Sequence, residues 1–231
     1  MEERQIIVSR RARYYVLGSP GQATDLWVVI HGYGQLAADF AGAFEVLVDD
    51  HSAVVAPEAL NRYYKDAERQ AGPHTDTPVA ATWMTRVYRD AEIADYVEYL
   101  DKLAAAVRPP GARLGVIAFS QGVATAWRWV ALGSTSFDRV IMWAGALPPD
   151  LDVTNHRARF PAHGVEIVYG TRDAQLPWIG VEEQRERLTA GGLPFVVTTF
   201  DGGHRIDRDT LVALARGASG GRGGRDNDVE G

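Results

Sequence analysis

Arg113-Leu114-Gly115-Val116-Ile117-Ala118-Phe119-Ser120-Gln121-Gly122-Val123-Ala124-Thr125-Ala126-Trp127-Arg128-Trp129-Val130 is the stretch whose reading decides the fold. Leu114 to Phe119 is an apolar run of the length expected for a strand buried on both faces. Val123, Ala124, Ala126, Trp127 and Val130 recur at the three- and four-residue spacing of one helix face. Between them stands Ser120, with small residues two positions away on either side. A serine on a tight strand-to-helix turn is the sequence form of a nucleophile elbow, because a strained backbone presents its hydroxyl and leaves no room for bulk at positions 118 and 122. Gly122 meets that demand, and Ala118 meets it with one methyl more than glycine. A plain strand-to-helix turn that happens to contain serine is the competing reading, and the strand before and helix after Ser120 favour the elbow.

Outward from this centre, the remaining apolar runs supply the rest of a sheet. Leu26 to Ile30 is a second continuous apolar strand, ending in His31-Gly32-Tyr33-Gly34. Glycines on either side of Tyr33 let the backbone turn so that its N–H aims at a developing negative charge. His31 itself reads as a packing residue hydrogen-bonded to backbone. Further strands are expected at 53–56, 139–145, 165–170 and 195–200, with an antiparallel edge pair at 5–9 and 12–17 joined by a turn at Arg10-Arg11. Helices are expected at 38–48, 89–107 and 181–188. On the long helix, Glu92, Asp95, Glu98 and Asp101 read as a solvated face. Fold class is therefore α/β, a mostly parallel twisted sheet of about seven or eight strands with helices on both faces.

Two loops after buried strands carry the remaining chemistry. Asp173 follows the 165–170 strand in Gly170-Thr171-Arg172-Asp173, and His204 follows the last strand in Asp201-Gly202-Gly203-His204. Each falls on the carboxyl edge of the sheet, where Ser120 also sits. The order nucleophile, acid, base, each after its own strand, is much less expected by accident than any one member. Taken alone, Asp173 reads as a local turn former and His204 as a structural residue. The other histidines have no comparable context.

The chain as a whole bounds the reading. It has 231 residues, 46% hydrophobic, enough for one domain over 1–216 with its own core, and the Gly- and Arg-rich 217–231 is expected to be a disordered tail. Net charge is −6 with scattered basic residues, which argues against nucleic acid as a partner. Cysteine is absent, so disulfides and thiolate chemistry are excluded. The opening residues are too polar for a secretory signal and no apolar run is long enough for a membrane span, so a cytoplasmic setting is expected. No metal or cofactor is called for, and oligomeric state is not legible.

Residues 57–85 form the least regular part. This stretch carries turn formers and charge together with Tyr63, Tyr64, Trp83 and Met84. It reads either as a substrate lid or pocket insertion, with those four residues and Trp178 lining a compact apolar site, or as a surface excursion anchored by aromatics.

With these elements in hand, the chain resembles the phospholipase/carboxylesterase family of α/β hydrolases, which includes acyl-protein thioesterases. The matching residues are His31-Gly32-Tyr33-Gly34, Phe119-Ser120-Gln121-Gly122, Gly170-Thr171-Arg172-Asp173 with Pro177, and Gly203-His204. The resemblance implies an α/β-hydrolase fold and a serine hydrolase with Ser120, Asp173 and His204 as a catalytic triad. It also implies an oxyanion hole from the backbone N–H groups of Tyr33 and Gln121. Ala118 replaces the usual glycine, and residues 57–85 differ from the thioesterase members. The expected activity is hydrolysis of short- to medium-chain carboxylic esters, with a thioester or lysophospholipid as the alternative substrate. A non-catalytic ligand-binding protein on the same fold is the alternative of another class.

Overall fold

The computed structural model describes residues 1–65, 76–215 and 217. Strands β1 (Tyr14–Leu17), β2 (Asp25–Ile30), β3 (Ser52–Pro57), β6 (Arg113–Phe119), β7 (Arg139–Trp143), β8 (Val165–Gly170) and β9 (Phe195–Phe200) form one sheet in the order β1-β3-β2-β6-β7-β8-β9. Only β1 runs antiparallel, paired with β3; the other ladders are parallel. Strands β4 (Asn61–Tyr64) and β5 (Val79–Thr82) make a separate antiparallel pair.

Alternation along the central strands builds two cores, one on each face. Leu114, Val116 and Ala118 of β6 face α2 (Arg89–Val107) and α3 (Gln121–Leu132), where Leu100, Trp127 and Trp129 are also buried. Ile117 and Phe119 face the other side, together with Phe40 of α1 (Ala37–Ala41), Ile179 of α4 (Leu176–Ile179) and Leu211 of α6 (Arg208–Ala215). Strands covered on both faces have no polar side to show, which is why β2 and β6 read as continuous apolar runs. Gly115 is the exception in β6 for a steric reason: a Cβ there would lie 2.3 Å from the Trp27 ring of the neighbouring strand.

Five expectations need correction. Residues 5–9 form no strand: β1 is the edge of the sheet and its outer side stays open among the described residues, while Ile6, Ile7 and Val8 are exposed and bury nothing against it. The expected 38–48 helix is α1 for five residues and then a tighter 3-10 turn, Gly42–Leu47, that lets Phe44 follow Phe40 into the core. Within the irregular 57–85 stretch lies the β4–β5 hairpin. On α2, Asp95 and Glu98 are exposed, whereas Asp101 accepts hydrogen bonds from Trp129 Nε1 at 2.8 Å and from the Thr135 and Ser134 backbone and hydroxyls, and Glu92 accepts one from Asn61 Nδ2 at 2.6 Å. Burial raises the Asp101 carboxyl, but these donors, Thr135 foremost, outweigh it and hold it below the usual range. Helix α5 (Val181–Ala190) runs two residues past its expected end. Apart from Gly217, the expected disordered tail lies outside the described residues.

Candidate active site

Ser120 stands between β6 and α3 with φ 54° and ψ −120°. Positive φ in a residue bearing a Cβ costs on the order of 1–3 kcal/mol and persists only where the surroundings impose it. They do so here: the Ser120 N–H donates to Trp143 O at 2.9 Å, and the Ser120 carbonyl accepts from Val123 N–H at 2.9 Å. Gly122 is required, because a Cβ would fall 2.6 Å from the carbonyl oxygens of both Ile30 and His31. Ala118 places its methyl in the core beneath α2 and α3, fully buried, and the elbow keeps its geometry.

Asp173 and His204 arrive from the loops after β8 and β9. Thr171 N–H donates to Phe200 O and Arg172 N–H to Gly202 O, each at 2.9 Å, so the two loops are stitched backbone to backbone. Gly170 makes the approach possible, since a Cβ would lie 2.2 Å from Gly202 O. The His204 loop is tied to β7 by Trp143 Nε1, which donates to Arg205 O at 2.9 Å.

The three side chains meet. His204 Nδ1 lies 2.7 Å from Asp173 Oδ2, and His204 Nε2 lies 3.0 Å from Ser120 Oγ. A carboxylate accepts only, so Nδ1 carries the proton and Nε2 is left to accept from the hydroxyl. Asp173 is shut off from solvent, and its other oxygen accepts the Gln175 N–H at 2.8 Å. Phe119 packs on the imidazole with ring centroids 4.7 Å apart.

On the other side, the loop after β2 runs directly against the elbow. A Cβ on Gly32 would lie 3.1 Å from Ser120 Cβ. His31 is fully buried, with Nδ1 at 2.8 Å from Gly32 O and Nε2 accepting the Ala59 N–H at 3.1 Å, the backbone-bonded packing role expected for it. Burial pushes its pKa down, which keeps it neutral. The Tyr33 ring is 63% exposed and stacks on Tyr63 with centroids 5.7 Å apart. Burial and the neighbouring Tyr33 side chain push the Tyr63 phenol upward. Gln121 opens α3, where the first N–H groups of a helix lack intrahelical acceptors and the helix dipole favours negative charge.

The expected pocket residues do not form one set. Trp83 is a correction: it is 1% exposed, packs on His31 and Tyr96 in the core, and donates from Nε1 to His31 O at 2.8 Å. An indole buries well once its N–H finds an acceptor, and the His31 carbonyl supplies it. Met84 is partly buried with its sulfur 3.4 Å from Arg128 Nη1. Tyr63 is half-buried, Tyr64 is exposed, and Trp178 on α4 is 65% exposed. Sequence reasoning missed Trp143, Gly170 as a close-approach residue, and the Gln121 side chain, which grips residues 82–84 through four contacts of 2.9–3.2 Å. The Phe-Ser-Gln-Gly pattern contained that glutamine without showing what it reaches.

No family model and no curated protein matches the sequence. Solved structures do. Zea mays acyl-protein thioesterase 2 superposes with a TM-score of 0.65 at 16% identity, covering 89% of this chain and 97% of that one. The Bacillus cereus carboxylesterase gives 0.63 at 13% identity over 90% and 93%. A phospholipase/carboxylesterase from Dyadobacter fermentans gives 0.57 at 21% identity over 91% and 97%. The chain has the α/β-hydrolase fold.

Proposed function

We propose that this chain is a serine carboxylesterase that hydrolyses short- to medium-chain carboxylic esters through an acyl-enzyme on Ser120. The observation that carries the reading is the unbroken run from Asp173 through His204 to Ser120, at 2.7 and 3.0 Å, ending on a serine at positive φ. Membership of the phospholipase/carboxylesterase family is part of the proposal, supported by the motif residues and by the likeness to structures described as carboxylesterases and a thioesterase.

In the proposed cycle His204 Nε2 takes the Ser120 proton as Oγ attacks the ester carbonyl. Asp173 holds the imidazole in the tautomer that can do so and stabilises the imidazolium. The tetrahedral oxyanion is held by the N–H groups of Tyr33 and Gln121, each donor worth about 3 kcal/mol of transition-state stabilisation. His204 then protonates the departing alkoxide, and the same residues run the sequence again with water as nucleophile to release the acid.

Substrate size follows from what remains once Trp83 is assigned to the core. Tyr33, Tyr63 and Trp178 retain exposed or half-exposed ring surface, suited to compact apolar acyl or alcohol groups rather than a long chain. The likeness to a thioesterase favours a thioester as the second reading. Among the described residues no helix is long and apolar enough to cross a membrane, and a cytoplasmic setting belongs to the same proposal.

Purified protein should turn over p-nitrophenyl esters with a chain-length optimum below about ten carbons and should be labelled by a fluorophosphonate at Ser120. An optimum at long acyl chains, or a thioester preferred over its oxygen ester, moves the substrate assignment. Labelling that persists in Ser120→Ala removes the nucleophile assignment.

A further inference from the structure

We infer that the segment Ala81–Met84 is the template that sets the oxyanion hole, and that the Gln121 side chain is a positioning residue for its own backbone N–H. The inference rests on the hydrolase reading above and assigns a role to the part of the chain that a sequence reading treats as a lid or pocket wall.

Both proposed donors hang on this one segment. On the Tyr33 side, Gly34 N–H donates to Ala81 O at 2.9 Å and Ala81 N–H to Gln35 O at 3.3 Å, which fixes the two residues that follow Tyr33 in the loop after β2. Trp83 adds a bond from Nε1 to His31 O at 2.8 Å. The Gln35 side chain closes the loop from within, its Oε1 accepting the Gly32 N–H at 2.7 Å.

On the Gln121 side the contacts run through the side-chain amide. Its Oε1 accepts the Trp83 N–H at 3.2 Å, and its Nε2 donates to Thr82 Oγ1 at 2.9 Å and to Met84 O at 3.2 Å. The Thr82 hydroxyl, having accepted from Nε2, donates onward to Met84 O at 3.0 Å. Every group of the amide is thus spent on residues 82–84, two of its partners being backbone atoms whose positions no side-chain rotation can adjust.

The need for such a grip comes from the elbow. Ser120 sits at φ 54° and ψ −120°, and rotation of the peptide between Ser120 and Gln121, opposed on its carbonyl side by the Val123 N–H bond to Ser120 O at 2.9 Å, would change that ψ and carry the Gln121 N–H away from the reacting carbonyl. A side chain anchored to residues 82–84 resists that rotation. Because the same segment holds the loop of Tyr33, the spacing between the two donors is set by one rigid piece rather than by two independent loops. Preorganised donors lose most of their value when misplaced by an ångström.

Gln121→Met keeps side-chain length and removes all three hydrogen bonds of the amide. It should lower kcat by about tenfold to a hundredfold with KM within about twofold. The inhibition constant of a trifluoromethyl ketone, whose adduct with Ser120 places an oxyanion in the hole, should rise by the same factor. Thr82→Val, a milder change that removes one partner, should show the same parallel at about threefold and serves if Gln121→Met does not fold. Unchanged kcat in a folded variant, or a fall in kcat with the ketone bound as tightly as before, overturns the inference. Wild-type protein that neither turns over esters nor labels at Ser120 overturns instead the hydrolase reading on which it stands.

Discussion

The two sides of the site are held in different ways. The acid–base side is backbone work: the loops after β8 and β9 lie on neighbouring strands, Gly170 lets them touch, and two main-chain hydrogen bonds lock them together. The proposed oxyanion side depends on side chains joining parts distant in sequence, Trp83 onto His31 and Gln121 onto residues 82–84. Proton transfer needs only that three groups converge on one sheet edge, which strand order ensures. Charge stabilisation needs donors at fixed spacing, for which the inferred brace at residues 81–84 would be the means.

Breaking the acid–base side should have the largest effect. Asp173→Asn leaves the geometry near native but allows the wrong imidazole tautomer, and kcat should fall about 10,000-fold with KM little changed, read by steady-state ester hydrolysis. A loss under tenfold would mean that another group orients His204. Next in size, Gly170→Ala forces a methyl to within 2.2 Å of Gly202 O and must push the two loops apart. It should cost on the order of 1–3 kcal/mol of stability in a denaturant titration, with activity falling more steeply than fluorescence of the core tryptophans.

The oxyanion side is sharpened by Trp83→Phe, which keeps the ring in the core but leaves the His31 carbonyl without its indole donor. The expected loss is about 1–3 kcal/mol of stability together with a severalfold fall in kcat. A stability loss with kcat intact would separate the packing of Trp83 from the hole.

The smallest effect is expected one contact behind the oxyanion side, where Arg128 also touches the Met84 sulfur at 3.4 Å. Asp150 pairs with Arg128 at 2.8 Å and with Arg89. Burial raises its carboxyl, but the Arg128 guanidinium outweighs that and holds it down at about 2. A depressed carboxyl contributes stability above its unfolded pKa of about 4, lost as pH falls toward 2. Asp150→Asn should therefore lower Tm at pH 7 by a few degrees, and the gap from wild type should close between pH 4 and 2, with kcat at pH 7 little changed. A gap that persists at pH 2 would assign the effect to packing.

Much of this was legible in residue order. All seven strands of the main sheet, the long helix α2 and the elbow announce themselves, the central strands because a strand buried on both faces cannot hide its apolar character, the elbow because only a small residue fits at 122. The chain order of Ser120, Asp173 and His204 carries topological information, since each follows a parallel strand and all such ends share one edge. The strand expected at 5–9 fails although the outer edge of β1 is open to it, because alternation in so short a segment does not show that its apolar residues will find a surface to cover. The four carboxylates of α2 look alike in sequence, yet Asp101 meets donors from residues 129, 134 and 135 that periodicity cannot see.

By itself, then, the sequence determined the sheet, the strained serine and the edge on which chemistry collects, because periodicity and steric demand are local properties of the chain. Only the tertiary structure decided what residues 81–84 touch. Trp83 became a core pillar and Gln121 a clamp because hydrogen-bond partners 38 and 52 residues away came within reach, and which donors and acceptors meet at such separations is settled by packing alone.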